Sequence, residues 1–444
     1  MKRKQTLTHL AKTVALIGIT AMPIVSNAQL KVSGLMFGDY AFKTQADSLG
    51  SRRKVNSEYN QLPLNYSGFN IRRAYINFDY DINEKIHVEA VLAHESTTPT
   101  GAAEVTPDNN NTVFLKYANA RIKQVFKGTD LIVGQQRTPT FATSGGSEPL
   151  WEYRPIERTI TDFNRLASST DLGVGLEGKY LDGKLGYNVL YGNNIGAKPL
   201  FDPTTTPITS DAGTPKLYMD VYYKFFNRLE VQVYYDYSCF NYNWDSTHTK
   251  FQTVTSTIKP MIAWIQPGLF TVGVEYYVQT NTHAANDFST NSLALSPAAV
   301  GAKTAAAANL RNTAPTGLSF WGHVVIIKDK DTNKVSKRVG YMQDGQKGGI
   351  LSLFARYDSY DPDANMTDAL AGNKINRGKI QSTAAFYTFG LDWQPWKSIH
   401  IMPNIWYEGF TQKYSSSELS GVAGYQAQKN AADMVIRLSG YYNF

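Results

Sequence analysis

The 444-residue sequence predicts an all-β fold, a transmembrane antiparallel β-barrel of about sixteen strands. Three observations predict it. Apolar and polar residues alternate with period two through many short segments, as in strands that meet different media on their two faces. The connections between those segments alternate between short and long. Aromatic residues are abundant, with 28 Tyr, 21 Phe and 7 Trp, as expected of aromatic girdles at two membrane interfaces.

The alternation runs the length of the chain. Ala74, Ile76, Phe78 and Tyr80 share one face, and Arg73, Tyr75, Asn77 and Asp79 share the other. Val88, Ala90 and Leu92 oppose His87 and Glu89. Leu351, Leu353, Ala355 and Tyr357 oppose Ser352, Phe354, Arg356 and Asp358. Ile436, Leu438 and Tyr442 oppose Val435, Arg437, Ser439 and Tyr441. Arg73, Glu89, Arg356, Asp358 and Arg437 are therefore expected to face a lumen. An unpaired charge is costly to bury, so a small filled barrel or a sandwich would not take these residues. A water-filled lumen would, and barrels of roughly 16–18 strands are wide enough to hold one. The tandem Arg72–Arg73 cannot point the same way in a regular strand, so a bulge or a headgroup contact is expected there.

Short turns are expected at 81–84, 127–130, 182–183, 227–228, 266–268 and 395–397. Long connections are expected at about 44–66, 97–111, 139–170, 193–214, 241–250, 281–315, 360–380 and 410–430. Short turns on the periplasmic side and long loops outside are the usual asymmetry. Residues 328–346, KDKDTNKVSKRVGYMQDGQ, are long and charged where a short turn is due. They could form a hairpin extension, or a further strand pair that would make eighteen.

The ends suggest export. Lys2, Arg3, Lys4 and Lys12 precede an apolar run at 14–25, and small residues stand at Ser26 and Ala28. Residues 1–28 are therefore expected to be a cleaved signal peptide and 29–444 the barrel. Four of the 44 Lys and Arg fall in that leader and no Asp or Glu does, which leaves 40 basic against 37 acidic residues. That balance excludes a nucleic-acid binder on charge grounds. Cys239 is the sole cysteine, which rules out an intrachain disulfide. The chain closes on MVIRLSGYYNF (434–444), an amphipathic strand. A terminal Phe444, with Tyr442 on the same face, resembles the insertion signal that the barrel-assembly machinery reads.

The connection at 139–170 has a character of its own. In WEYRPIERTITDFNRL (151–166), a helix beginning at Pro155 would put Ile156, Ile160, Phe163 and Ala167 on one stripe. Arg154, Arg158, Thr161 and Arg165 would form another, flanked by Glu152, Glu157 and Asp162. Such an apolar stripe suits a loop folded inward against the barrel wall, with its arginine side toward water, so 139–170 is the expected constriction loop.

Three stretches carry a family resemblance: FNIRRAYINFDYDINEKI (69–86); VGQQRTPTF (133–141) followed by EPLWEYRPIERTITDFNRLASSTDLGVGLEGKY (148–180); and LYGNN (190–194). They resemble Gram-negative general porins, and more closely relatives of the phosphate-selective porins. Thr170, before Asp171, departs from the arginine frequent in those relatives. The resemblance is strong over about 69–195. It implies a passive, sixteen-stranded channel for small hydrophilic solutes, seated in outer-membrane lipid, able to assemble as a homotrimer and narrowed by its third loop.

Two opposite roles are open to Arg154, Arg158 and Arg165. Rings of Arg or Lys favour anions in pores, but these arginines could equally pair with Glu152, Glu157 or Asp162 and only pin the loop. A weak anion or phosphate preference is the sharper expectation. The histidines lack a recognised metal-ligand spacing. No acid–base pair or Ser/His arrangement points to catalysis, so neither a catalytic site nor a metal or other cofactor is expected. An enzymatic barrel, or a structural or adhesive barrel without transport, is the alternative class.

Overall fold

The structure is a computed structural model and describes residues 30–48, 59, 62–95, 113–140, 160–164, 168–194, 215–244, 250–266, 269–286, 310–327, 350–364, 382–396, 398–412 and 431–444. Its first half is built from β1 (Leu30–Gln45), β2 (Ser67–Asp81), β3 (Ile86–Glu95), β4 (Phe114–Phe126), β5 (Thr129–Arg137), β6 (Thr170–Tyr180), β7 (Leu185–Gly192) and β8 (Lys216–Phe225). A single helical turn, α1 (Ile160–Phe163), lies between β5 and β6. The second half is β9 (Leu229–Trp244), β10 (Lys250–Gln266), β11 (Phe270–Asn286), β12 (Leu310–Thr313), β13 (Thr316–Ile327), β14 (Ile350–Asp361), β15 (Ser382–Trp396), β16 (Ile399–Gln412) and β17 (Ala432–Asn443).

Each strand pairs antiparallel with its sequence neighbours, and β1 pairs with β17 to close the ring. β12 and β13 share one place in the wall, since both pair with β11. Pro315, which has no N–H to give a ladder, falls in the break between them, and its carbonyl accepts a hydrogen bond from Gln279 N at 2.8 Å. The wall is therefore sixteen strands. The eighteen-strand alternative is excluded because β13 pairs directly with β14, from Thr316↔Asp361 to Ile327↔Leu351. Residues 328–346 lie outside the described residues.

The two faces separate as the alternation requires. Ile76, Leu92, Val174, Val221, Phe320, Ile436 and Leu438 point outward and are exposed, while Asp39, Glu230, Asp236, Ser352 and Arg437 point inward and are buried. Outward aromatics line up across neighbouring strands. Phe320, Tyr357, Tyr387 and Tyr407 form a row on β13–β16 with successive ring centroids 6.4, 4.8 and 5.9 Å apart. Near the short turns, Phe126, Tyr180, Phe226, Trp396 and Phe444 are exposed on the same outer surface. These are the two girdles that the composition predicts.

Short turns fall where expected. The link between β8 and β9 is a three-residue turn at 226–228, with φ of 53° and 57° at Phe226 and Asn227 and a 3.0 Å bond from Arg228 N to the Phe225 carbonyl. Two positive φ values match the twist of the flanking strands. The opposite rim differs from expectation in two places, one of them the connection expected at 281–315, where β11 runs to Asn286 and β12 starts at Leu310. In the other, β9 and β10 extend to Trp244 and from Lys250, so the connection expected at 241–250 is shorter. β10 has 17 residues where roughly 9–11 suffice to cross a bilayer.

Candidate functional site: the barrel lumen

The lumen wall is polar and tightly paired. Arg72 and Arg73 both turn inward, because the β1–β2 register steps from Phe37↔Arg73 to Gly38↔Ile71 and leaves Arg72 as the extra residue. This is the bulge expected from the tandem arginines. Arg73 Nη1 is 2.7 Å from Glu95 Oε1, which also accepts hydrogen bonds from Lys116 and Tyr75. Glu89 accepts from Asn119 Nδ2 at 3.0 Å. Arg121 reaches Asp130 at 3.0 Å and Glu177 at 2.7 Å, and Lys179 reaches Glu177 at 3.1 Å.

The same pairing continues around the ring. Lys216 and Asp236 are 2.9 Å apart, as are Lys259 and Glu275. Arg356 grips Asp358 with two hydrogen bonds, Nε to Oδ1 at 2.7 Å and Nη2 to Oδ2 at 2.5 Å. Such a two-point grip fixes a guanidinium more firmly than a single contact. Arg437 donates from Nε to Asn404 Oδ1 at 2.8 Å and approaches Asp39 to 3.6 Å. Arg73, Glu89 and Arg437 thus belong to separate networks, while Arg356 and Asp358 share one.

Residues from two long connections contact side chains of the strands. Thr140, just beyond β5, gives its carbonyl to Lys259 of β10. Ile160 of α1 is wholly buried among Tyr277 of β11, Tyr360 of β14, Ala384 of β15 and Phe410 of β16. A Cβ on Gly317 of β13 would come within 2.8 Å of Ile160 Cδ1. Phe163 stacks on Phe386 at 5.8 Å and tilts against Trp406 at 5.9 Å. In the ring order, β13–β16 lie far from β5 and β6, the strands from which this connection springs.

Of the expected apolar stripe, Ile160 and Phe163 belong to the described residues, and both contact aromatic residues of the wall; Ile156 and Ala167 lie outside them. Thr161 differs, since it is fully buried although it was expected on the water-facing arginine side. A single turn pressed on a curved wall encloses small polar side chains beside its apolar ones. Glu152, Arg154, Glu157, Arg158 and Arg165 lie outside the described residues; Asp162 belongs to α1. At the loop's root, Asp171 Oδ2 accepts from Asn194 N at 2.7 Å and Tyr218 Oη at 3.0 Å.

The other such residues come from the connection between β1 and β2. Tyr59 is 1% exposed and its ring meets Trp406 edge-on at 5.5 Å. Its hydroxyl accepts from Arg72 Nη1 at 3.2 Å and Arg437 Nη1 at 3.3 Å, and donates to Asp39 Oδ2 at 3.4 Å. Lys43 Nζ donates to the carbonyls of Tyr59 at 2.6 Å and Leu62 at 2.9 Å, and is 2.7 Å from Asp433. Sequence reasoning passed over this segment. The one available signal is Tyr59 and Leu62, three residues apart in a polar stretch ahead of Pro63.

At the ring seam, Phe444 N and O exchange 3.0 Å bonds with Gly34, and the Phe444 ring stacks on Tyr442 at 6.0 Å. A Cβ at Gly34 would lie 2.5 Å from both the Phe444 ring and the Tyr75 carbonyl, so the seam needs glycine there.

No family model and no curated protein sequence matches the chain. Solved structures do match it. The outer membrane channel DcaP of Acinetobacter baumannii superposes with a TM-score of 0.57 at 10% identity, over 94% of this chain and 98% of that one. The anion-selective porin from Comamonas acidovorans gives 0.51 at 11% identity, over 94% and 100%. OmpT of Vibrio cholerae, expressed in the outer membrane, gives 0.50 at 10% identity, over 95% and 99%. The shared feature is the fold, a closed antiparallel barrel of the kind outer-membrane channels use.

Among the described residues, no group of His, Cys, Asp and Glu could hold a metal ion.

Proposed function

We propose that the chain is an outer-membrane porin, a passive channel for small hydrophilic solutes. The observation that carries this reading is the two-faced closed wall, with apolar side chains and aromatic rows outside and a continuous lining of paired charges inside. Lipid accepts only such an exterior, because every backbone polar group must find its partner within the wall. The lining suits water and dissolved ions. Residues 1–28 act as the cleaved leader, and Phe444 with Tyr442 as the signal for insertion by the barrel-assembly machinery.

The connection 139–170 narrows the channel. The contacts of Thr140, Ile160 and Phe163 with β10, β11 and β14–β16 support a path across the lumen. The wall cations have carboxylate partners, so any weak preference for anions or phosphate originates in Arg154, Arg158 and Arg165. A trimer is the assembly this reading favours; a trimer form is known for V. cholerae OmpT, a similar barrel with a TM-score of 0.50 and 10% identity. The test is a planar-bilayer recording of the purified protein. Stepwise, voltage-independent conductance at low voltage supports a porin, and a silent bilayer with folded protein rejects it.

A further inference from the structure

Three cationic side chains from three strands converge on one short piece of the first long connection. Lys43 of β1 donates to the carbonyls of Tyr59 and Leu62. Arg72 of β2 and Arg437 of β17 both donate to the Tyr59 hydroxyl. The carboxylates beside them are Asp39, 3.7 Å from Arg72 and 3.6 Å from Arg437, and Asp433, 2.7 Å from Lys43. The oxygens that Tyr59 and Leu62 present are neutral. They occupy donor positions that an oxyanion would otherwise take, since guanidinium and ammonium groups bind carboxylate and phosphate oxygens through the same N–H groups.

We propose that Tyr59 is a specificity-determining residue of the lumen: its hydroxyl covers Arg72 and Arg437 with a neutral oxygen and so holds the channel away from anion selectivity. This rests on the channel reading. The Tyr59 ring is anchored edge-on to Trp406 at 5.5 Å, and Arg437 is held over the same indole at 4.4 Å. The cover is thus fixed by packing as well as by hydrogen bonds. Without it, the guanidinium groups of Arg72 and Arg437, which flank Asp39 of β1 from the two neighbouring strands, lose their neutral cover. The ligand class of the uncovered pair is a small oxyanion, such as inorganic phosphate, or a halide.

The experiment compares the parent with Tyr59→Phe and Tyr59→Ala in planar bilayers, reading the reversal potential in a KCl gradient and the block of current by inorganic phosphate. Tyr59→Phe keeps the ring on Trp406 and removes only the hydroxyl, so the barrel folds. The anion-to-cation permeability ratio should rise modestly in Tyr59→Phe. In Tyr59→Ala it should rise roughly fivefold, the factor matching about 1 kcal/mol between unit charges 4 Å apart in water. Phosphate should block Tyr59→Ala at lower concentration than the parent, and adding Arg437→Gln should reverse both changes. Parent-like permeability ratios in both variants, with the parent conducting, overturn this proposal alone. A rise that survives Arg437→Gln also overturns it. A parent that does not conduct overturns the channel reading and this inference together.

Discussion

Arg437 and Trp406 form the hub of the lumen: the guanidinium carbon lies 4.4 Å from the indole centroid. Cation–π contact of this kind is strongest with Trp and grows when water is excluded. Both side chains are buried, and Phe386 packs on the other part of the indole at 4.5 Å. Tyr59 from the first long connection and Phe163 from the third reach the same ring. One wall residue therefore anchors two connections that are about a hundred residues apart in sequence.

The first prediction concerns that hub. Trp406→Ala removes a buried platform and should cost about 3–5 kcal/mol, the usual range for Trp to Ala in a packed site. Reversible urea unfolding in lipid vesicles measures the loss. The same variant should conduct more than the parent, because Tyr59 and Phe163 lose their shared support. Parent-like stability and conductance together would mean that the indole is a bystander.

A second prediction isolates the third connection. Ile160 is enclosed by Tyr277, Tyr360, Ala384 and Phe410, so Ile160→Asp would place a carboxylate in an apolar pocket. A buried charge without a partner is strongly disfavoured, and the turn should leave the wall. Single-channel conductance is expected to rise, and deletion of 151–166 to raise it further while relaxing discrimination by solute size. Unchanged conductance in the deletion, with an intact barrel, would mean that the connection does not narrow the pore.

These two predictions also mark what could be read from the sequence. Strands were legible because lipid outside and water inside impose a period of two, and Ile76, Val221 and Ile436 keep it. The Arg72–Arg73 bulge was legible because two adjacent residues cannot otherwise share a face. The partners of the wall charges were not, since they depend on register. Lys43 meets Asp433 across the seam, 390 positions along the chain, only after β1 and β17 have paired. Tyr59 was illegible for the same reason, as its three partners come from β1, β2 and β17. In α1 the apolar stripe was readable at Ile160 and Phe163, but the burial of Thr161 depends on how the wall curves around the turn.

The third prediction addresses the seam. Deleting Phe444 removes the paired backbone bonds to Gly34 and a ring stacked on Tyr442. Gly34→Val leaves Phe444 in place but drives a side chain into its ring and into the Tyr75 carbonyl. Both should lower the yield of heat-modifiable, folded barrel on gels, and the deletion should also slow assembly in cells. If Gly34→Val assembled as well as the parent, the ring's seat would not matter to closure.

The last prediction concerns charge. The wall cations stand beside carboxylates, as with Arg73 and Glu95, Arg356 and Asp358, or Lys259 and Glu275. Their fields largely cancel over a few ångströms, so the wall alone should discriminate weakly between ions of opposite sign. Arg154, Arg158 and Arg165 are spaced to share one helical side, and their positive potentials would add if that side faces the narrowest part of the pore. Screening then decides how far the sum reaches. The Debye length is about 30 Å at 0.01 M salt and about 3 Å at 1 M, so a preference made by these arginines should be modest, largest in dilute salt and lost in concentrated salt. Replacing all three with Gln should move the reversal potential toward the cation side at about 0.01 M salt and leave it unchanged at about 1 M. A triple variant that matches the parent in dilute salt would place the three guanidinium groups in local pairs with Glu152, Glu157 or Asp162, where they pin the connection and select nothing.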